Sequence, residues 1–210
     1  MKVPITIACV YAVTVSALNA YNRSRGNKAW PISKTKAFFW FVVAHNVFLA
    51  VYSGWTFVGM FSALHRVVRN PTGPAGLVGT VDSLCKMHGI GGTGKAIAYN
   101  PTASKWVSES PSTVLLSEVG TPDPTDLGRL WNEGLAFYGW PFYLSKFYEV
   151  LDTAIILAKG KRSSTLQTYH HAGAMMCMWA GIRFMSPPIW MFVFVNSGIH
   201  ALMVKHPPFS

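Results

Sequence analysis

Three short runs of ionisable and amide residues stand inside segments that are otherwise apolar. Lys146-Phe-Tyr-Glu149-Val-Leu-Asp152-Thr153 carries an ammonium, two carboxylates and a hydroxyl. Gln167-Thr-Tyr-His170-His171 carries an amide and two adjacent imidazoles, and Asn196-Ser-Gly-Ile-His200-Ala-Leu-Met203 an amide, an imidazole and a thioether. On a helix turning about 100° per residue, Lys146, Glu149, Asp152 and Thr153 share a sector of roughly 120°. The other two runs make similar stripes, so three helices could aim them into one cavity. Ionisable groups at membrane depth are costly and mark functional interiors. An imidazole serves as nucleophile or general base near neutral pH, and a nearby carboxylate stabilises its imidazolium and fixes its tautomer. The plainer alternative is that these groups only pair to hold helices together. Lys146, one turn from Glu149, forms a neutralising pair either way. Adjacent histidines in an apolar setting fit that alternative less well, and His200 has Asn196 one turn behind it.

The elements that would carry these runs are membrane spans. Half of the 210 residues are apolar and only 12% are charged, against roughly 25% charged in soluble domains. Val3 to Tyr21 and Phe38 to Phe61 are long enough to cross a bilayer. Aromatics flank the second, and His45 and Asn46 interrupt it, so one face is expected to look at protein rather than lipid. Leu130–Leu157, Leu166–Met185 and Pro187–Val204 are three further apolar segments, with Pro187-Pro188 as the break between the last two. Between residues 62 and 129 lies a polar connection rich in Gly, Pro, Ser and Thr. A signal peptide competes for the first segment, with Lys2 as its basic region and Val15-Ser16-Ala17 as a cleavage site. The apolar stretch is long for that, and its positive charge follows it.

The net charge of +10 is gathered beside apolar blocks, in Arg23, Arg25 and Lys28 and in Lys159, Lys161 and Arg162. That is the placement of cytosolic membrane flanks and excludes a nucleic-acid surface. With the chain's start outside, both basic loops fall in the cytosol and the 62–129 loop on the opposite side. Asn22-Arg23-Ser24 is a glycosylation acceptor that this orientation leaves bare. Gly89-Ile-Gly-Gly-Thr-Gly94-Lys95 matches part of a phosphate loop. A polar run precedes it and Ala96 replaces the required hydroxyl, so a flexible Gly-rich loop is expected. Cys9, Cys85 and Cys177 are too far apart and too few for a disulfide framework or a zinc site.

The three runs together resemble the ELO family of fatty acid elongases. Lys146 to Thr153 fits the KxxExxDT motif. Gln167 to His171 resembles the histidine box HxxHH with Gln in the first place, the QxxHH variant of fungal and polyunsaturated-type members. Asn196 to Met203 begins NxxxHxxMY, with Val204 where the family has Tyr. The resemblance runs from the first span to about Met203. It implies one all-α integral membrane domain over residues 1–210, with about five transmembrane helices of the family's seven and the 62–129 loop outside the membrane. It also implies a 3-ketoacyl-CoA synthase that decarboxylates malonyl-CoA and joins its two-carbon unit to an acyl-CoA, using neither metal nor cofactor. His170 would take the acyl group as an acyl-imidazole, and His200, held by Asn196, would assist at the malonyl carbon. His171, Glu149 and Asp152 would orient these imidazoles and set their protonation. Lys146, Thr153, Gln167 and Met203 would bind substrate, Lys146 together with Lys159, Lys161 and Arg162 facing the CoA phosphates. The implied setting is the endoplasmic reticulum membrane, spanned several times. The implied partners are acyl-CoA, malonyl-CoA and membrane lipid, the ketoreductase, dehydratase and enoyl reductase of the cycle, and a second copy in a homodimer. Nucleic acid is not among them.

Three rivals remain in view. A membrane di-iron desaturase shares HxxHH and QxxHH boxes but needs more boxed histidines than a chain with seven, of which His45, His65 and His88 are scattered. A channel or receptor leaves the ordered motifs unexplained. Inside the family, a truncated, inactive elongase or an incomplete gene model is the alternative, because the family pattern continues past Met203 with two more spans that close the bundle around the acyl tunnel. On that expectation the 210-residue form is not a working enzyme.

Overall fold

The computed structural model describes residues 2–73, 76–86, 97–100, 102–108, 129–186 and 188–203. Seven α-helices are present among them: α1 (Lys2–Ser24), α2 (Lys36–Val67), α3 (Gly76–Cys85), α4 (Ala136–Tyr148), α5 (Val150–Ala158), α6 (Thr165–Arg183) and α7 (Ile189–Met203). Two four-residue strands, β1 (Ile97–Asn100) and β2 (Lys105–Ser108), pair antiparallel, with Ile97 opposite Ser108 and Asn100 opposite Lys105. The Gly89–Lys95 run lies outside the described residues.

α1 and α2 are long and apolar enough to cross a membrane, about 34 Å and 48 Å at 1.5 Å per residue. Their burial pattern agrees with a lipid setting. On α1 a narrow stripe (Pro4, Ala8, Tyr11, Val15, Asn22) is buried, while Val3, Val10 and Val13 are exposed. On α2, Val42, His45, Leu49, Ser53, Thr56, Met60, Ala63 and Val67 face inward at helical spacing, and Trp40, Val51 and Val58 face outward. A water-facing helix would carry charged residues on that outer side. Thr35 starts α2 by accepting a hydrogen bond from Phe38 N. Val15, at the candidate cleavage point, is buried in a cluster with Ala8, Tyr11 and Met175 of α6.

The other apolar segments depart from single straight spans. Leu130–Leu157 is divided into a π-turn over Trp131–Leu135, then α4, then α5. Gly134 sits in the turn at φ 154°, where a Cβ would stand 3.0 Å from the Ala63 side chain of α2. Pro141 inside α4 withholds the N–H that would meet the carbonyl of Phe137. The ladder tightens at Glu149, between α4 and α5: Glu149 N still bonds the Ser145 carbonyl, but Asp152 N bonds the Glu149 carbonyl three residues back, so the Lys146–Thr153 run straddles a one-residue joint whose dihedrals stay helical. α2 continues to Val67, past the Ser62 at which the polar connection was expected to begin. α3 follows within that connection. It is held through Asp82, which pairs with Arg129 (2.6 Å), and through Trp190 Nε1, which donates to the Leu84 carbonyl.

Apolar burial drives helix association weakly in lipid, so close approach and polar ties decide the packing. α2 and α7 meet where Phe57 stacks on Phe194 at 4.7 Å. A Cβ on Gly198 would stand 3.0 Å from that Phe57 ring, so the glycine inside the Asn196–Met203 run lets α7 lie against α2. Gly59 of α2 leaves the same kind of room for the ring of Tyr138. At the opposite end from α3, Asn22 is 1% exposed; it donates to the Leu157 carbonyl and accepts from Trp30 Nε1. Asn19 exchanges two hydrogen bonds with the backbone of Ser163. These ties bring the two basic loops, 22–28 and 159–162, to one end of the bundle, as the charge distribution anticipates.

Candidate active site

The joint at Glu149 sends the side chains of the first run to three different helices. Lys146, 1% exposed, donates to Glu149 Oε1 at 2.6 Å and to Asn196 Oδ1 of α7 at 2.8 Å, and its ammonium lies 3.9 Å from the centre of the Phe142 ring. Glu149 is likewise buried, and its Oε1 also accepts from Ser145 Oγ. Asp152 turns to α2, where its Oδ1 meets His45 Nε2 at 2.8 Å. Thr153, buried, shares a 2.8 Å hydrogen bond with the Tyr11 hydroxyl of α1.

The histidines come from the two following helices. Ser164 caps α6 by accepting from Gln167 N, and one turn later His170 and His171 stand with their rings 5.6 Å apart. His171 is buried, edge-on to Tyr11 at 6.3 Å, while His170 is exposed. His200, on α7, is half-buried. Lys146, Glu149, Asp152 and His170 all lie within electrostatic reach of both His171 and His200. All three runs therefore converge, as their stripes predict. Two buried polar atoms of this group, Glu149 Oε2 and His171 Nδ1, have no hydrogen-bond partner among the described residues. Such atoms are uncommon in folded interiors.

Several placements refine the sequence expectations. Lys146 is held in the interior by Glu149 and Asn196, away from any open face toward the CoA phosphates. Asn196 Oδ1 is engaged by that ammonium rather than by His200. Thr153 is turned to α1, and Gln167 is half-buried on the first turn of α6. Met203 closes α7. Asn46, expected beside His45 on a protein-facing side, is exposed. The motifs leave out His45, Tyr148 and Tyr11, all of which touch the group. For His45 a signal existed, an imidazole interrupting an apolar span; Tyr11 carried none beyond a phenol in mid-span. No group of three or more His, Cys, Asp and Glu side chains that could hold a metal is present among the described residues.

A helical membrane protein with a buried charged cluster and converging histidines is the class that fold and site define. The chain belongs to the ELO family, described as the GNS1/SUR4 family, whose model matches residues 1–204. It is 31% identical over 78 residues to fatty acid elongase 2 of Trypanosoma brucei brucei, a stretch covering 37% of this chain and 29% of that protein. It is 33% identical over 75 residues to very long chain fatty acid elongase 3 of Homo sapiens, covering 36% and 28%. Against fatty acid elongase sre1 of Dictyostelium discoideum the figures are 36% over 70 residues, covering 33% and 26%. The aligned stretches thus span less than a third of the length of these relatives. No solved structure matches the chain.

Proposed function

We propose that this protein is a fatty acid elongase that condenses malonyl-CoA with an acyl-CoA. Decarboxylation of the malonyl unit supplies the carbanion, which attacks the acyl carbonyl; a 3-ketoacyl-CoA, carbon dioxide and CoA result. The observation that supports this reading most is the meeting of the three motif runs in one interior group of a chain of this family. His170, the exposed member of the histidine pair, is the acyl acceptor, forming an acyl-imidazole as the first CoA leaves. The carboxylates of Glu149 and Asp152 orient the imidazoles of His171 and His200 while the acyl group is carried. The apolar segments of residues 3–21, 38–61, 130–157, 166–185 and 187–204 each traverse the endoplasmic reticulum membrane. The basic end formed by Lys159, Lys161 and Arg162 receives the CoA phosphates from the cytosol.

The test is made in the 210-residue chain and in the same chain joined to two further spans of the family pattern. Microsomes receive an acyl-CoA and malonyl-CoA labelled in the carbon that is retained. Labelled 3-ketoacyl-CoA is expected, with loss after His170→Ala. Incubation with acyl-CoA alone should label the parent protein covalently and leave His170→Ala unlabelled. Absence of product in both forms overturns the elongase reading; product with full turnover by His170→Ala removes the acyl-imidazole.

A further inference from the structure

His45 stands on α2, outside all three motif runs and 107 residues from Asp152. Its ring is enclosed: the side chain is 0% exposed, with Phe41 stacked at 6.2 Å on one side and Tyr148 tilted at 5.1 Å. Both ring nitrogens are used. Nε2 meets Asp152 Oδ1 at 2.8 Å and Nδ1 meets the Tyr148 hydroxyl at 3.1 Å. A carboxylate only accepts, so Nε2 carries a proton; Tyr148 then donates to Nδ1 and satisfies the neutral ring completely. Tyr148 and Asp152 flank the joint at Glu149, the last residue of α4 on one side and the first turn of α5 on the other. A single side chain of α2 therefore grips both helices across the place where the backbone ladder tightens. Asp152 remains 29% exposed at its side chain, and its charge reaches His171 and His200.

We propose that His45 is a positioning residue of the reaction centre, which clamps Tyr148 and Asp152 across the α4–α5 joint and sets the orientation from which the Asp152 carboxylate acts on the histidine pair and on His200. This inference rests on the elongase reading. It requires that loss of the clamp slow the chemical step more than it weakens binding. Loss of the hydrogen-bond partner that orients a metal-ligating side chain costs about 10–100-fold in activity, and an effect of that order is expected here.

Steady-state kinetics on folded, monodisperse protein test it. His45→Phe keeps an aromatic ring and loses both bonds; kcat is expected to fall about 10–100-fold with KM for acyl-CoA nearly unchanged. His45→Gln can still donate to Asp152 and accept from Tyr148, and should recover most of the loss. In an Asp152→Asn background, His45→Phe should cost little more, because its target is already disabled. A packing role alone would lower thermal stability but leave the kcat of folded protein intact. Wild-type kcat in His45→Phe, or the same fold-loss with and without Asp152→Asn, overturns the clamp. Should His45→Phe fail to fold, Tyr148→Phe removes one of the two bonds with minimal change of shape and carries the same kinetic test. A parent protein that makes no 3-ketoacyl-CoA would sink the elongase reading instead. The clamp is then read from the 15N imidazole signals of His45, expected to show an Nε2–H tautomer that shifts in Asp152→Asn. An unshifted signal overturns it.

Discussion

Removing Lys146 alone should be among the most damaging single changes to this fold. Its ammonium is the short-range partner of Glu149, at 2.6 Å, and both side chains are almost wholly enclosed, at 1% and 3% exposure. Lys146→Met keeps the length and most of the volume of the side chain but leaves a buried carboxylate. Glu149 Oε2 already lacks a partner among the described residues, so Oε1 would keep only Ser145 Oγ. Breaking a buried pair from one side costs about 3–5 kcal/mol, and Asn196 Oδ1 loses its donor as well. For a chain of this size each kcal/mol moves Tm by about 2–4 °C, which gives a fall of roughly 6–20 °C. The double variant Lys146→Met with Glu149→Gln removes both charges and should recover much of that loss, since replacing a whole buried pair is often close to neutral. The assay is the midpoint of heat-induced aggregation of detergent-solubilised protein, followed by fluorescence-detected size exclusion. A single variant within about 2 °C of the parent, or a double variant worse than Lys146→Met, would refute the picture of a pair whose main cost is an orphaned charge.

Tyr11→Phe deletes the hydroxyl that joins α1 to Thr153; a loss of about 1 kcal/mol is expected, a fall of 2–4 °C in the same assay. Gly59→Ala pushes a methyl group into the Tyr138 ring and should cost about 1–3 kcal/mol, partly recovered by Tyr138→Ala, which vacates the space. Asn22 sits in an acceptor sequence, but its amide is buried and engaged on both sides, so treatment with an N-glycosidase should leave the mobility of protein from a glycosylating host unchanged. Cysteines introduced at Thr72 and at Lys161 should react with an impermeant thiol reagent from opposite sides of sealed microsomes; labelling of both from one side would overturn the proposed topology.

What the sequence made legible was local. α1 and α2 follow from unbroken apolar stretches, and the charged runs on α4, α5, α6 and α7 follow from residues too costly to leave in lipid without a purpose. The ion pair of Lys146 and Glu149 could be read from spacing alone, because both ends lie on one turn. His45 could not be assigned its partner that way: whether an interior imidazole meets Asp152, Glu149 or nothing depends on which face of α2 lies against the α4–α5 joint. That choice is made by Gly59, Gly134 and Gly198, each admitting a neighbour at close range, and no periodicity encodes it. The joint itself was hidden for a similar reason. Apolar residues run straight through Leu130–Leu157, and the tightened ladder at Glu149 becomes visible only in the backbone. α3 escaped because ten residues containing Gly, Thr, Asp and Ser look like connection, although Asp82 and Ser83 are its buried side.

The ties of α1 also carry a consequence for biogenesis. Tyr11, Asn19 and Asn22 meet Thr153, Ser163 and Leu157, partners 142, 144 and 135 positions later in the chain. At a synthesis rate of about 5–20 residues per second, the first helix waits roughly 7–30 s for them. During that interval its phenol and two amides have none of these three partners, and whatever escorts nascent helices at the insertion machinery must shelter them. Phe57 of α2 waits about as long for Phe194 and Gly198 of α7. The first helix therefore stays without these ties until partners more than 130 positions later have been made.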